Sequence, residues 1–251
     1  MVDGASNVMT LEQTIVFVHG SGDSSQVWKQ VIDRLPDRSC VALDLPGHGG
    51  RVESPGPQTM SVADYGTWVE QELVRRGLRE VCVAGHSLGG AIALYMALAS
   101  PSLVRGLALI GTGARLRVAP RLLEAARTDR LEATRMLTEL GFAPGHAEQA
   151  DRYLQQADSA APGVLWRDLA ACNDFDLMSD LARITQPAII ITGEQDRLTP
   201  PKYALYLQEH LPRATLALIP DAGHCVPIEQ PGAVAEALSA WLAALRPAQE
   251  L

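Results

Sequence analysis

A serine flanked by glycines stands at the junction of two different apolar segments. Ser87 lies in the sequence Gly-His-Ser-Leu-Gly, between Gly85 and Gly89. The apolar run 81–84 before it favours a buried strand, and the run 90–99 after it favours a packed helix. In so sharp a turn, side chains two positions from the serine would collide, and glycine avoids the collision. The pattern predicts a nucleophile elbow that presents the serine hydroxyl above a sheet.

A serine hydroxyl is a weak nucleophile at neutral pH, so a base must accept its proton. Histidine commonly does this while a carboxylate holds its ring in one tautomer. His224 lies in the loop directly after the last predicted strand, and Asp196 lies in the loop after the strand before it. The chain order of Ser87, Asp196 and His224 is one in which such triads occur. We therefore predict these three residues as the catalytic group.

Other carboxylates and one thiol compete for these roles. Glu194 lies two positions before Asp196 in the same turn, and Asp221 lies three positions before the histidine. Asp221 does not follow a strand of its own, which makes it the weaker partner. Cys225 is adjacent to His224, where it is either a packed neighbour or a reactive thiol.

The elements that must position these residues alternate between strand and helix. Short, nearly all-apolar strands with helices between them indicate a parallel sheet covered on both faces, and active sites in such folds lie at the carboxyl ends of the strands. The fold class predicted is therefore α/β. The predicted strands are 14–18, 39–44, 81–84, 104–110, 188–192 and 215–219, and the predicted helices outside the insertion described next are 26–35, 61–76, 90–99, 201–211 and 233–245.

One long segment interrupts the alternation. The sequence predicts a core formed by residues 1–113 and 185–251, with residues 114–184 inserted as a helical cap over the carboxyl edge of the sheet. An insertion of this length exceeds an ordinary loop. A helical excursion elsewhere on the surface is the alternative. The predicted helical pieces are 120–127, 130–140, 147–157, 164–171 and 178–184.

Composition limits the possible partners and compartments. The net charge of −8 argues against nucleic acid and anionic membranes as partners. No apolar run reaches the length of a membrane span, and residues 1–13 lack the basic start and apolar core of a secretory signal. Four scattered cysteines without metal-binding spacing favour a reducing, cytoplasmic location. The sequence carries no signal for oligomeric state.

Taken together, these motifs resemble the α/β-hydrolase family from about residue 14 to 245. The resemblance implies the α/β-hydrolase fold, a mostly parallel central sheet with helices on both faces. It also implies Ser87 as nucleophile, Asp196 as acid and His224 as base. The matching segments are His19-Gly20, DLPGHG from Asp44, GHSLGG from Gly85, GEQD from Gly193, Gly223-His224 and EQP from Glu229.

The same resemblance suggests how the negative oxygen of a tetrahedral intermediate is held. Backbone N–H groups form such an oxyanion hole, and the residue after the nucleophile, Leu88, supplies one of them. By resemblance the second donor is Ser21, which follows His19-Gly20 in a glycine-rich loop. His19 and His86 match scaffold positions of the family, and His48 matches a structural turn.

The implied reaction is acyl transfer to water. A serine nucleophile excludes the branches of the family that use aspartate, the dehalogenases and epoxide hydrolases. We expect a carboxylesterase that acts on small-molecule esters of small to medium acyl groups, without a metal or organic cofactor. Alternatives are a lactonase, thioesterase, carbon–carbon bond hydrolase, perhydrolase or lyase, or a weakly catalytic ligand-binding receptor. The residues expected to line the substrate pocket are aromatic: Trp28, Phe142, Tyr153, Trp166 and Phe175.

Overall fold

The computed structural model describes residues 14–51, 56–156 and 160–245. Within them, six parallel strands form one sheet in the order β2-β1-β3-β4-β5-β6. This confirms the α/β fold class. The first thirteen residues, which were not expected to form a secretory signal, lie outside the described part. The strands are β1 (Ile15–Val18), β2 (Cys40–Leu43), β3 (Val81–His86), β4 (Val104–Ile110), β5 (Ala188–Gly193) and β6 (Ala214–Ile219).

Helices cover both faces of the sheet. Alternate residues of a strand point to opposite faces, and β1 shows this, since Val16 and Val18 join one buried cluster and Ile15 and Phe17 the other. Helices α2, α3 and α8 pack on the first face, and α1 and α10 on the second. These helices are α1 (Lys29–Ile32), α2 (Val62–Arg75), α3 (Leu88–Ala99), α8 (Pro201–His210) and α10 (Pro231–Ala244), with the short α9 (Val226–Glu229) before the last.

Four further helices lie in the segment between β4 and β5, which we call the helical insertion (residues 114–184). They have their own small buried cluster, which includes Leu122, Ala133 and Leu169. A backbone hydrogen bond of 2.8 Å from the N–H of Ala161 to the carbonyl of Gly47 joins the insertion to the loop after β2. The helices are α4 (Pro120–Thr128), α5 (Arg130–Gly141), α6 (Ala147–Gln156) and α7 (Val164–Asp174).

The last helical piece predicted in the insertion, 178–184, is wrong. The chain forms turns there, followed by a single 3-10 turn over Leu181–Arg183. The Asp176 side chain accepts the N–H of Met178 at 3.1 Å, and the carbonyl of Asp180 accepts the N–H of Arg183. Aspartate that hydrogen-bonds to nearby backbone offers an alternative to the helical ladder, which apolar spacing alone does not reveal.

The sheet order creates a crevice where the functional loops lie. The strands on either side of β1 are β2 and β3, so the chain winds outward in opposite directions from the β1–β3 pair. Crevices at the carboxyl ends of such strands are the usual ligand sites of open α/β sheets. No helix among the described residues is both long enough and apolar enough to cross a membrane.

Candidate active site

Ser87 occupies a strained turn between β3 and α3. Its backbone has φ 52° and ψ −113°, in a region that residues other than glycine seldom adopt. A Cβ atom at Gly85 would lie 2.1 Å from the carbonyl oxygen of Gly89, and one at Gly89 would lie 2.2 Å from that of Val18. Any larger residue at either glycine would therefore force the strand and helix apart. The geometry is that of the predicted elbow.

Asp196 and His224 meet at the ends of β5 and β6. A carboxylate oxygen of Asp196 lies 2.9 Å from Nδ1 of His224. The other carboxylate oxygen accepts the backbone N–H groups of Leu198 and Thr199 at 2.9 and 2.8 Å. Burial raises the pKa of Asp196, but the charge of His224 and the hydrogen bonds with His224 and Thr199 outweigh it and lower the pKa overall. Asp196 is thus held as an anion in contact with the imidazole ring.

The competing carboxylates do not hold this position. Glu194 and Asp221 are both exposed. The backbone carbonyl of Asp221 is hydrogen-bonded to Nε2 of His146 at 2.7 Å. Asp196, in contrast, is 3% exposed and in contact with the ring. The geometry therefore favours Asp196 among the three.

A cavity of about 310 Å³ brings the candidate groups together. Ser87, His224 and Ser21 all line it. Among the described residues, no hydrogen bond joins the Ser87 hydroxyl to the histidine ring, and such bonds often tighten only when substrate is present. The helical insertion supplies much of the remaining lining, which is mostly apolar. Its apolar lining residues are Leu116, Val118, Ala119, Leu122, Met136, Leu137, Leu140 and Leu169.

The two predicted oxyanion donors lie at the ends of adjacent strands. Leu88 is the first residue of α3, where backbone N–H groups have no acceptor within the helix and the helix dipole favours negative charge. Ser21 lies in the loop after β1. The next N–H in that loop, from Gly22, donates to the carboxylate of Asp168 at 2.8 Å. The loop that carries Ser21 is therefore held by the helical insertion.

The structure corrects most of the expected aromatic lining. Tyr153 lines the cavity, but Trp28, Phe142, Trp166 and Phe175 are not among its lining residues. Trp28 is completely buried on the second face of the sheet, with its ring 5.0 Å from that of Phe17. The other three belong to the insertion but pack elsewhere. The Phe142 ring lies 5.6 Å from that of Tyr153, and Trp166 packs against the buried cluster of the insertion. Phe175 belongs to the buried cluster on the first face of the sheet. Leucine and methionine form the wall instead.

The cysteines at the cavity are protonated thiols rather than rival nucleophiles. Cys172 and Cys225 line the cavity and are buried. Burial raises the pKa of the Cys172 thiol to about 12 and that of the Cys225 thiol well above its ordinary value. The thiolate is the nucleophilic form of cysteine, so these side chains are inert at neutral pH.

A second buried aspartate–histidine pair, which the sequence did not reveal, lies beside the loop that carries Ser21. Asp168 of α7 contacts Nε2 of His48 at 2.8 Å, and both side chains are completely enclosed. The Tyr65 hydroxyl donates to the other oxygen of Asp168 and accepts a hydrogen bond of 2.8 Å from Nε of Arg167. The one available signal was a charged Asp168 on the same helix face as Leu165 and Cys172.

Two further histidines are neutral parts of the scaffold. Nε2 of His19 accepts the N–H of Leu45 at 3.0 Å, and Nε2 of His86 donates to the carbonyl of His224 at 2.9 Å. Burial lowers the pKa of His19 to about 4 and that of His86 to about 3. Within the described residues, no group of three or more histidine, cysteine, aspartate or glutamate side chains is placed to hold a metal ion.

Comparisons with known proteins place this geometry in a family context. The chain is 28% identical over 233 residues to a pimeloyl-[acyl-carrier protein] methyl ester esterase of Nitrosomonas europaea, covering 84% of this chain and 88% of the relative. The enzyme of the same name from Chromobacterium violaceum is 30% identical over 227 residues, covering 84% and 86%.

Solved structures show the same architecture. A thermophilic esterase superposes with a TM-score of 0.77 at 32% identity, covering 93% of this chain and 91% of its own. The enol-lactonase from Burkholderia xenovorans LB400 superposes with a TM-score of 0.85 over 92% of both chains, but at 21% identity it shows the fold alone. The model of the alpha/beta hydrolase family matches residues 15–237. This chain therefore belongs to the alpha/beta hydrolase family.

Proposed function

We propose that this protein is a serine hydrolase that cleaves carboxylic esters of small to medium acyl groups. The observation that carries the proposal is the Asp196–His224 pair, whose ring lines the same cavity as Ser87 in its strained turn. The esterase names of relatives at 28 and 30% identity support ester hydrolysis as the reaction.

In the first half of the proposed reaction, the Ser87 hydroxyl oxygen attacks the ester carbonyl carbon. His224 accepts the hydroxyl proton, and the negatively charged Asp196 stabilises the resulting imidazolium. The tetrahedral intermediate collapses when the carbon–oxygen bond to the alcohol breaks, and His224 donates its proton to the departing alcohol. An acyl-enzyme on Ser87 remains.

In the second half, water replaces the alcohol. His224 removes a proton from the water molecule, whose oxygen attacks the acyl carbon. The bond to Ser87 then breaks, the serine oxygen regains the proton from His224, and the carboxylic acid leaves. The N–H groups of Ser21 and Leu88 are the proposed donors to the oxyanion in both halves, and removing one such donor typically costs about 2.7–4 kcal/mol of activation energy.

The helical insertion is the proposed cap that sets substrate size. Its leucine and methionine side chains form an apolar wall of the cavity that Ser87 also lines, and a cavity of about 310 Å³ suits a short or medium acyl chain. Apolar contact with this wall favours acyl groups without charge. The expected substrate is therefore a small neutral ester.

The proposal is tested with initial rates on p-nitrophenyl esters of increasing acyl length, with the wild type beside Ser87→Ala. We expect rapid turnover that the substitution abolishes, with an optimum at a short or medium chain. Ser100→Ala, which removes a serine hydroxyl remote from the cavity, is the matched control and is expected to keep the wild-type rate. Equal rates for wild type and Ser87→Ala would exclude Ser87 as nucleophile. Absence of turnover by either protein would instead favour the lyase, an acyl class outside this series, or the receptor.

A further inference from the structure

One carboxylic acid at the cavity has no role in the proposed chemistry. Asp23 lies in the loop after β1, two residues after Ser21, and it is the single acidic residue among the described residues that line the cavity. It is 8% exposed. Its Oδ1 accepts the N–H of Ser24 at 2.9 Å, and its Oδ2 accepts the hydroxyl of Tyr153 at 3.4 Å. Burying a carboxylic acid with so few partners costs free energy, which further hydrogen bonds from a bound ligand would offset.

The pair of Asp23 and Tyr153 stands between two cavities. Both residues line the cavity of Ser87, and both also line a neighbouring cavity of about 400 Å³. The wall of this second cavity differs in chemistry, since it carries side chains that donate and accept hydrogen bonds. These side chains are Gln26, Gln30, Gln149 and Arg152.

The charges around the cavity restrict what the pair can bind. Two exposed arginines, Arg117 and Arg197, line the cavity of Ser87 and would repel an ammonium group on a ligand there. A ligand carboxylate bound next to Asp23 would be repelled whenever Asp23 is ionised. Burial raises the pKa of Asp23 to about 7, so near neutrality its carboxyl group can both donate and accept a hydrogen bond. A neutral hydroxyl group has matching capacity, since it also donates and accepts.

We propose that Asp23 and Tyr153 form a polar subsite that binds a hydroxyl group on the ester substrate. The apolar part of the substrate then contacts the leucine and methionine wall, and the hydroxylated part lies at the boundary with the second cavity. The inference rests on the proposed esterase function and names its substrate class as hydroxylated esters. A site that satisfies a buried polar group in this way discriminates strongly against the analogue that lacks it.

Matched ester pairs test the subsite. The pair of propyl hexanoate and 2,3-dihydroxypropyl hexanoate places the hydroxyls on the alcohol, and the pair of ethyl hexanoate and ethyl 6-hydroxyhexanoate places one on the acid. For each pair, the ratio of kcat/KM for the hydroxylated ester to that for the plain ester is measured. The plain ester corrects for any general loss of activity, and thermal melting of each variant verifies folding.

We expect the ratio to favour the hydroxylated ester in the wild type for at least one pair. It should fall about tenfold in Asp23→Ala, equivalent to about 1.4 kcal/mol, and less in Tyr153→Phe, which keeps the ring beside Phe142. Tyr203→Phe removes a hydroxyl elsewhere in the same cavity and should leave the ratio unchanged.

Each other outcome has a distinct meaning. If the wild type hydrolyses the esters but the ratio is the same in Asp23→Ala and Tyr153→Phe for both pairs, the subsite is refuted and the esterase proposal stands. A lower melting temperature with that unchanged ratio would identify Asp23 as a purely structural residue. If the wild type hydrolyses none of the four esters, the proposed function and the subsite fail together.

Discussion

Two buried aspartate–histidine pairs have almost the same separation, but His224 presents Nδ1 to its aspartate and His48 presents Nε2. Asp196 lies 2.9 Å from His224, and Asp168 lies 2.8 Å from His48. The ring of His224 lines the cavity, whereas both nitrogens of His48 contact protein atoms, Nε2 the carboxylate and Nδ1 the carbonyl of Pro46 at 3.1 Å. A nitrogen that can reach substrate, rather than the pairing itself, distinguishes a candidate base from a structural histidine.

The largest expected difference between the pairs is in catalysis. Asp196→Asn should lower kcat by about 10⁴-fold, because an amide cannot hold the imidazole in the required tautomer or stabilise its charged form. Steady-state kinetics on the best p-nitrophenyl ester measures this. Glu194→Gln is the matched control, since Glu194 is exposed in the same turn and should keep the wild-type kcat. The reverse result would make Glu194 the acid.

The second difference concerns stability. Asp168→Asn should lower the free energy of unfolding by about 3–5 kcal/mol, because it removes a buried charge that satisfies His48, Tyr65 and the N–H of Gly22. Urea denaturation measures this loss, and Asp196→Asn measured beside it provides the contrast. Because Asp168 holds the loop of Ser21, the proposed oxyanion donor, kcat should also fall, by about tenfold, with KM nearly unchanged. A loss of kcat as large as that of Asp196→Asn would abolish the distinction between the pairs.

The smallest expected effect is on the pH dependence of stability. Burial lowers the pKa of His48, but the Asp168 carboxylate outweighs it and raises this pKa above 6.5. Burial raises the pKa of Asp168, but the charge of His48 and the hydrogen bonds outweigh it and lower this pKa below 3.8. The contribution of His48 to the free energy of unfolding is fully present below pH 6.5 and is lost as the pH rises through the raised pKa of His48. The contribution of Asp168 is fully present above pH 3.8 and is lost as the pH falls through the lowered pKa of Asp168.

The difference in unfolding free energy between wild type and Asp168→Asn should therefore be largest near about pH 5 and smaller near about pH 9 and pH 3. Urea denaturation at these three values measures it. Asp33→Asn, which alters an exposed carboxylate paired with Lys29, should show no such maximum. A difference that is constant across this range would show that His48 and Asp168 do not titrate as a pair.

The sequence predicts a feature of the site well when the residues that form it are close together along the chain, and poorly when they are far apart. The elbow at Ser87 is local, since glycines two residues away fix it, and the loops of Asp196 and His224 directly follow apolar strands. The pair of His48 and Asp168 spans 120 positions, and no local pattern joins its members. The wall of the cavity was predicted poorly for a related reason: apolar spacing identifies helices of the insertion but not which of their side chains face Ser87.

The hydrogen bond from Gly22 to Asp168 bears on protein engineering. The helical insertion begins after β4 and ends before β5, and these two strands are neighbours in the sheet. Exchanging it for the insertion of a relative is therefore a direct way to alter substrate selectivity. Such a chimaera would lose the carboxylate that holds the loop of Ser21, along with the Leu165 side chain that packs over Gly22. A successful graft must retain Leu165 and Asp168 at their places in α7, or it will change reaction rate together with specificity.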